Sequence, residues 1–580
     1  MRQLLSDDII EGNETYDFTW VGKKASIVEA NRPIRKTLRP VKEDSVNWDT
    51  TENLYIEGDN LEVLKLLQES YLGKVKMIYI DPPYNTGHDF IYPDSFRMNE
   101  KEYDEGTGYF DEEGNVNYTK ENSVGTARYH SDWCSMMYSR LLLSRNLLTE
   151  DGVIFISIDD HEQENLKKIC NEVFGDGNFI AELIWERAYS PKNDAKYISN
   201  SHDYILMFAK NIFSFEIGRL PRTEEANARY SNPDNDPRGI WKPSDMSVKT
   251  YNAENDYPIT TPSGRVIEPP TGRCWSLSKK AFSERLQDNR IYFGSDGNSV
   301  PCIKRFLSEL RFEGMAPTSI LFYKEVGHSQ EGAKEVTKLL EAGAFDGPKP
   351  IRLLNRLLTL ANLKDDSYVL DFFSGSASTA HAVMKQNAED GGHRKFIMVQ
   401  LPEPCNEKSE AYKADYKNIC EIGKERIRRA GRKIQEEAGL LAQDLDVGFR
   451  VFKVDTSNMK DVYYAPNEIN QNNLFDMESN IKEDRTDLDL LFASLLEWGL
   501  PLSMPYKSED ISGYAVHTYN DGDLIACFDD HVPESVIKEI AGRKPLRVVF
   551  RDSCFTDSPS KINVGEIFKL ISPGTRIMVL

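Results

Sequence analysis

The sequence predicts an α/β chain: a Rossmann-like sheet split into two halves, an irregular domain inserted between them, and a small α/β domain at the end. Three observations carry this. Apolar runs alternate with helix-period segments in two separate regions. The stretch between those regions loses periodicity and gains Pro, Gly, Asn and Asp. A chain of 580 residues also exceeds the ~250–300 at which a single core stops growing.

Residues 1–50 form an N-terminal extension, and the first half of the sheet spans 51–210. There, strand Leu54-Tyr55-Ile56 is followed by the turn Gly58-Asp59-Asn60, a helix marked by Leu61, Leu64 and Leu67, and the apolar strand Val75 to Ile80. A helix from Met136 to Leu148, the turn Asp151-Gly152 and the run Val153 to Ile158 continue the alternation. Strand and helix alternating in this way predict a parallel sheet covered on both faces. The insertion occupies 211–345, with turn-rich stretches at Asn232 to Gly239 and Pro258 to Gly272. The second half, 346–455, opens with a Leu-rich helix near Pro350 and the strand Tyr368 to Leu370. A small-residue loop Ser374 to Ser378 then leads into a helix through Met384, closed by Gly391-Gly392. The strand Lys395 to Leu401, a basic helix near 416–437 and the run Phe449 to Val454 complete it. In 456–580, an Asn-rich stretch precedes a helix Leu488 to Trp498 and three short strands at Leu524 to Phe528, Leu546 to Phe550 and Arg576 to Leu580.

With 40% hydrophobic and 28% charged residues the chain has an ordinary globular composition. Its eight cysteines show no Cys-x-x-Cys spacing and its nine histidines form no metal-ligand cluster, so reduced thiols and no catalytic metal are expected. No segment reaches the ~20 apolar residues of a membrane span, and the N-terminus carries acid early, so a cytoplasmic protein without a membrane is expected. A net charge of -22 argues against nucleic acid as a partner unless positive charge is concentrated locally. Local basic strips, Lys23 to Arg39 and Lys424 to Lys433, are as readily solvated helix faces as DNA contacts.

Asp81-Pro82-Pro83-Tyr84 directly follows the strand 75–80, at the carboxyl end of a parallel strand, where open α/β sheets bind ligands. An exocyclic amine on a nucleobase is a poor nucleophile, because its lone pair is delocalised into the ring. A carboxylate (Asp81) and a carbonyl (Pro82) that accept its hydrogens favour the charge developing on nitrogen as it attacks. The two prolines fix the backbone and remove N–H donors, and Tyr84 offers a face to a base rotated out of the duplex. The plainer alternative is a strand end with a Pro-rich turn and a core tyrosine. Asp371-Phe372-Phe373-Ser374-Gly375-Ser376 enters a helix through small residues that let a ligand approach the backbone; alone, a tight turn explains it equally well. Glu403, at the end of the next strand, is placed to accept from ribose hydroxyls, and the pair favours a nucleoside cofactor. In the insertion, Trp241, Tyr251 and Trp275 lie near Lys242, Arg265, Arg273 and Lys279, with core packing the commoner role for such aromatics.

In order along the chain, Gly58 to Leu61, Asp81 to Gly87, His130 to Asp160, His202 to Phe208, Gly327 to Glu331, Pro348-Lys349-Pro350, Asp371 to Met384, Lys395 to Glu403 and Glu421 to Arg429 resemble the modification subunits of bacterial type III restriction-modification systems. The resemblance spans nearly the whole chain. It implies a beta-group DNA adenine methyltransferase, with the catalytic motif before the cofactor motif and the target-recognition domain between them. It also implies S-adenosyl-L-methionine as cofactor, double-stranded DNA as substrate, a homodimer, and a helicase-nuclease restriction subunit as partner. By the same resemblance Asp81, Pro82, Pro83 and Tyr84 carry catalysis. Asp371, Phe372, Phe373, Ser374, Gly375 and Ser376 hold the cofactor's methionine end, Glu403 its ribose, Lys349 belongs to a further cofactor-side motif, and Asp59 lies near the cofactor adenine. Where such enzymes commonly show Phe-x-Gly-x-Gly this chain has Ala377, and cofactor affinity should suffer if glycine geometry is needed there. Cytosine-N4 methylation and a catalytically silent DNA-specificity subunit are the competing readings.

Overall fold

The computed structural model describes residues 18–87, 129–191, 193, 195–341, 343–439, 444–460 and 481–580. The chain divides into two compact units, one formed by 1–218 with 318–580 and the other by 219–317.

The first unit is organised by a ten-stranded sheet. Its strands in chain order are β1 (Lys36–Val46), β2 (Leu54–Glu57), β3 (Val75–Ile80), β4 (Leu148–Ile158), β5 (Phe179–Glu186), β6 (His202–Ala209), β7 (Ile320–Leu321), β8 (Tyr368–Asp371), β9 (Lys395–Gln400) and β10 (Phe449–Thr456). Across the sheet the order is β1-β10-β2-β9-β8-β3-β4-β6-β5-β7. The run from β10 to β4 is wholly parallel, as the apolar strands predict. The expectation of an all-parallel sheet needs correcting at its margins, where β1 pairs antiparallel with β10 and β6 antiparallel with both β4 and β5.

Every residue of β2 and β3 is buried, because a strand covered on both faces has no polar side. Alternate strand residues Leu54, Ile56, Ile78, Ile80, Ile154, Ile156, Leu370, Ile397 and Val399 share a core with helices α1 (Asn60–Tyr71), α2 (Tyr129–Leu147) and α3 (Gln163–Phe174). A second helix group, α4 (Ile351–Leu360), α5 (Ser378–Asp390) and α6 (Ile419–Ala438), packs together in the order α4-α5-α6. Asp59 caps α1, its side chain accepting from the N–H groups of Leu61 at 2.9 Å and Glu62 at 3.3 Å.

The chain leaves β3 toward β4 on one side and leaves β8 toward β9 on the other. The strand order therefore reverses between β8 and β3, and the crevice at their carboxyl ends is the switch point at which such sheets take ligands. Along that edge the ends of β2, β9, β8 and β3 present Asp59, Glu403, the loop from Asp371, and Asp81 in spatial order.

The C-terminal region carries a sequential five-stranded sheet over 506–579 and two helices around a core that includes Val516, Ile525, Ile540, Phe550 and Phe568. The second unit has short antiparallel pairings around Met246, Tyr257, Trp275, Phe293 and Ile303. Trp275 is fully buried in that core, and Trp241 is buried with its N–H on Asp234. Of the three aromatics noted in the insertion, Tyr251 alone is exposed. The region 211–218 and the segment 318–345 belong to the first unit, so the inserted unit is narrower than the aperiodic stretch.

Candidate functional site

The loop after β3 leaves the sheet with Asp81 half-exposed and Pro82 buried. The Tyr84 hydroxyl donates to Asp81 Oδ1 at 3.0 Å, and Lys349 Nζ donates to Oδ2 at 2.5 Å. Trp133, fully buried in α2, donates its ring N–H to the Pro83 carbonyl at 2.7 Å and so anchors the turn from below. Asn85 continues it with φ of 61°, a left-handed conformation that asparagine tolerates, and its amide donates to buried Glu162 at 2.5 Å. Burial, with Asp81 alongside, raises the Tyr84 hydroxyl well above the usual tyrosine range, so it stays a donor.

The loop after β8 is built differently. Asp371 is buried and satisfied from within its own turn, accepting from the Phe373 N–H at 3.1 Å and from the Thr379 hydroxyl at 2.6 Å. Burial nevertheless pushes its carboxyl up to about 7, with Asp81 adding to the effect and Lys349 opposing it. The Gln400 side chain accepts from the Gly375 N–H at 2.7 Å, and Asn60 donates to the Phe372 carbonyl at 2.7 Å, so β9 and α1 hold the loop from either side. Gly375 has φ of 50°, and a Cβ there would meet the Phe345 ring at 2.9 Å. Glycine there avoids both a strained backbone and a close contact with that ring. Beneath the loop Arg426 is completely buried, donating to the hydroxyls of Ser376 at 2.7 Å and Ser378 at 2.5 Å.

One cavity of about 80 Å³ joins the two motifs. Among the expected residues, Asp81, Lys349, Asp371, Phe373, Ser374, Gly375 and Ser376 line it. Phe372 is buried behind the loop, and Tyr84 reaches the cavity through Asp81. Pro82, Pro83, Glu403 and Asp59 do not line it. Asp59 is engaged as the helix cap and as an ion partner of Arg140 at 3.2 Å. Glu403 stands half-buried at the next strand end, its carboxyl raised by burial. The donor set fits a nucleoside carrying a charged tail. Small-residue backbone and hydroxyls at a helix start suit the tail, and an acid one strand away suits ribose hydroxyls.

Sequence reasoning missed Trp133, Tyr79, Phe345, Asp203 and Arg426. Arg426 left a readable signal, since it falls four residues after Ile422 and eight before Ile434 and so lies on the apolar face of α6. Several cations of the basic strips are engaged by acids of the fold. In α6, Lys424 pairs with Asp44 at 2.6 Å and Glu57 at 2.5 Å, and Arg429 with Glu425 at 2.7 Å. Near the N-terminus Lys36 pairs with Glu62 at 2.6 Å and Arg39 with Asp455 and Asp489, both at 3.0 Å.

A switch-point site on a mixed sheet with a small-residue loop belongs to the Rossmann-like methyltransferase class. The DNA methylase family model of N6 and N4 methyltransferases matches residues 75–430. The StyLTI Mod subunit of the type III restriction-modification enzyme of Salmonella typhimurium is 36% identical over 78% of this chain and 68% of its own. The EcoPI Mod subunit of Escherichia phage P1 is 34% identical over 87% of this chain and 81% of its own, and the EcoP15I Mod subunit of Escherichia coli 30% identical over 96% and 89%. The chain belongs to the DNA methylase family, among the Mod subunits of type III restriction-modification enzymes.

Proposed function

We propose that this chain transfers a methyl group from S-adenosyl-L-methionine to the N6 amino group of an adenine flipped out of double-stranded DNA, as the modification subunit of a type III system. The observation that carries this is the convergence of Asp81 and the Gly375 loop on one cavity at the switch point of the sheet. In this reading the cofactor supplies an electrophilic methyl on a sulfonium centre, and everything else falls to the chain. Phe373, Ser374, Gly375 and Ser376 seat the tail, Asp371 shapes their loop, and Glu403 receives the ribose. Asp81 accepts one amine hydrogen and the Pro82 carbonyl the other, so electron density returns to the nitrogen as it attacks. Tyr84 supports the base from below its plane and, by its hydroxyl, aims the Asp81 carboxylate. The proton released from the amine leaves through that carboxylate.

The remaining roles are read from the resemblance to the family. The chain acts as a homodimer with a helicase-nuclease restriction subunit, and its recognition of sequence lies in the unit 219–317. Eight free cysteines fit the reducing cytoplasm, where host DNA lies. Incubation with labelled S-adenosyl-L-methionine and genomic DNA lacking the modification, followed by digestion to nucleosides, tests the reading: label is expected in N6-methyladenine. Label in N4-methylcytosine would transfer the mechanism to the other base. Absence of label from several DNA sources would reject the enzymatic role and leave the silent specificity subunit.

A further inference from the structure

Lys349 was expected on the cofactor side, yet its ammonium sits on the carboxylate assigned to the base. Nζ lies 2.5 Å from Asp81 Oδ2, 5.3 Å from the centre of the Tyr84 ring and 5.9 Å from that of Trp185. Its side chain is 10% exposed. The placement is built rather than incidental. Gly332 in the preceding helix packs so closely on Pro348 that a Cβ would stand 2.1 Å from the Pro348 carbonyl oxygen. The N–H of Ile351 donates to Glu335 at 3.0 Å, and Trp185 is fixed by its own N–H to the Gly327 carbonyl at 2.9 Å.

The charges facing this ammonium are almost all acidic. Asp81 is in contact, Asp371 approaches from β8 and Asp203 from β6, with Asp159 beyond it, while Tyr79 and Tyr84 are neutral donors. Arg187 is engaged by Asp203 at 2.9 Å. Burial pushes Asp203 up to about 6, with Lys349 and Arg187 opposing. Lys349, with Arg187 beside Asp203, is thus a cation facing a group of acids.

A nitrogen donor bonded to Asp81 above the Tyr84 ring is also the arrangement ascribed above to the amino group of a flipped base. We infer that Lys349 is a stand-in for that amine: in the free protein it keeps the Asp81 carboxylate aimed and charge-balanced, and it swings aside when a base takes its place. The inference rests on the functional reading above. It makes Lys349 a positioning residue on the substrate side and a competitor of the base.

Lys349→Met and Lys349→Gln test it in the full chain, with thermal melts to confirm folding. Cofactor affinity, measured by calorimetry without DNA, is expected to stay within about threefold of the wild type. Because the base displaces Lys349 in the bound complex, loss of the cation acts on the free enzyme: the acid limb of the kcat/KM profile for DNA should move up by about one pH unit while that of kcat stays in place. The value of kcat/KM for DNA should therefore fall by up to about tenfold on the acid limb relative to the wild type, and the difference should close as pH rises past that limb. With the competitor gone, KM for DNA at the higher pH should fall by about threefold or more. A roughly tenfold weaker cofactor complex with an unmoved acid limb would return Lys349 to the cofactor site. An unchanged profile, or a KM for DNA that rises at pH 8.5, would also overturn the inference. Failure of the wild type to label DNA rejects the underlying reading instead, and is seen before any variant is made.

Discussion

Asp81 and Asp371 end adjacent parallel strands at one switch point, yet the two carboxylates have opposite fates. Asp371 is closed in by its own turn, which returns the Phe373 N–H and the Thr379 hydroxyl to it. Asp81 is followed by two prolines, which have no N–H to return. Its partners, Tyr84 and Lys349, are side chains that can be exchanged for a ligand. The residues after each acid therefore decide whether it builds the loop or remains available for chemistry.

Removing Asp81 should expose the contrast most sharply. Asp81→Ala is expected to reduce methylation by at least about a thousandfold, the scale on which preorganised polar groups act in catalysis. DNA binding should remain near that of the wild type, and the melting temperature should fall by only a few degrees, because Lys349, which loses its partner, still faces Asp371 and Asp203. Labelled-methyl incorporation and melting curves measured together check this. Substantial residual methylation would mean that the available acid is not the reacting one.

Trp133 probes the backbone that keeps Asp81 available. Trp133→Phe removes the donor to the Pro83 carbonyl while keeping the buried ring, at a cost of about 1 kcal/mol in that one bond. Because the bond sets the angle of the Pro-Pro turn, kcat should drop roughly tenfold while KM for the cofactor holds. Steady-state kinetics at saturating DNA would show it, and a change confined to cofactor KM would place the turn on the wrong side of the reaction.

Asp371 should show its character in the pH dependence of stability. Its folded carboxyl stands near 7 against an ordinary 3.8, so between those values the folded state holds a proton that the unfolded chain has released. Stability from this group is accordingly fullest below about pH 4 and declines as pH rises toward 7, by as much as about 2–4 kcal/mol. Asp371→Asn keeps an acceptor for the Phe373 N–H, and its amide can donate to the Thr379 oxygen, but it carries no titrating proton. Denaturation curves at pH 5 and pH 8 should therefore differ less for the variant than for the wild type. Equal pH dependence in the two would show that Asp371 is ionised in the folded protein.

How far the sequence reveals all this depends on what each element buries. β3, β8 and β9 were legible because strands covered on both faces read as unbroken apolar runs. β1, Lys36–Val46, was read as extension, since a polar edge strand alternates only weakly between buried and exposed positions. At the site, Asp81 and the Gly375 loop were legible because their chemistry is local to a strand end. Trp133 was not seen, and the contact of Lys349 with Asp81 was not read, because Lys349 and Trp133 meet Asp81 and Pro83 across 268 and 50 residues of sequence. Spacing along one element carries no record of such contacts.

Ala377 offers the smallest and most discriminating comparison between the two loops. It adopts φ of 59° and ψ of 41° at the start of α5, the left-handed conformation that alanine avoids, so the backbone geometry of this loop survives the loss of glycine. That conformation costs alanine about 1–2 kcal/mol. Ala377→Gly removes the cost but also deletes a fully buried methyl worth about 0.8 kcal/mol. The variant should therefore gain no more than about 1 kcal/mol, a rise of a few degrees at most in melting temperature. Since the left-handed turn is already formed, cofactor affinity should change by less than about threefold. A tenfold or larger gain in affinity, measured by calorimetry, would mean that the methyl itself stands in the way of the cofactor, and that the loop after β8 is tuned for weak binding rather than merely tolerant of a larger residue.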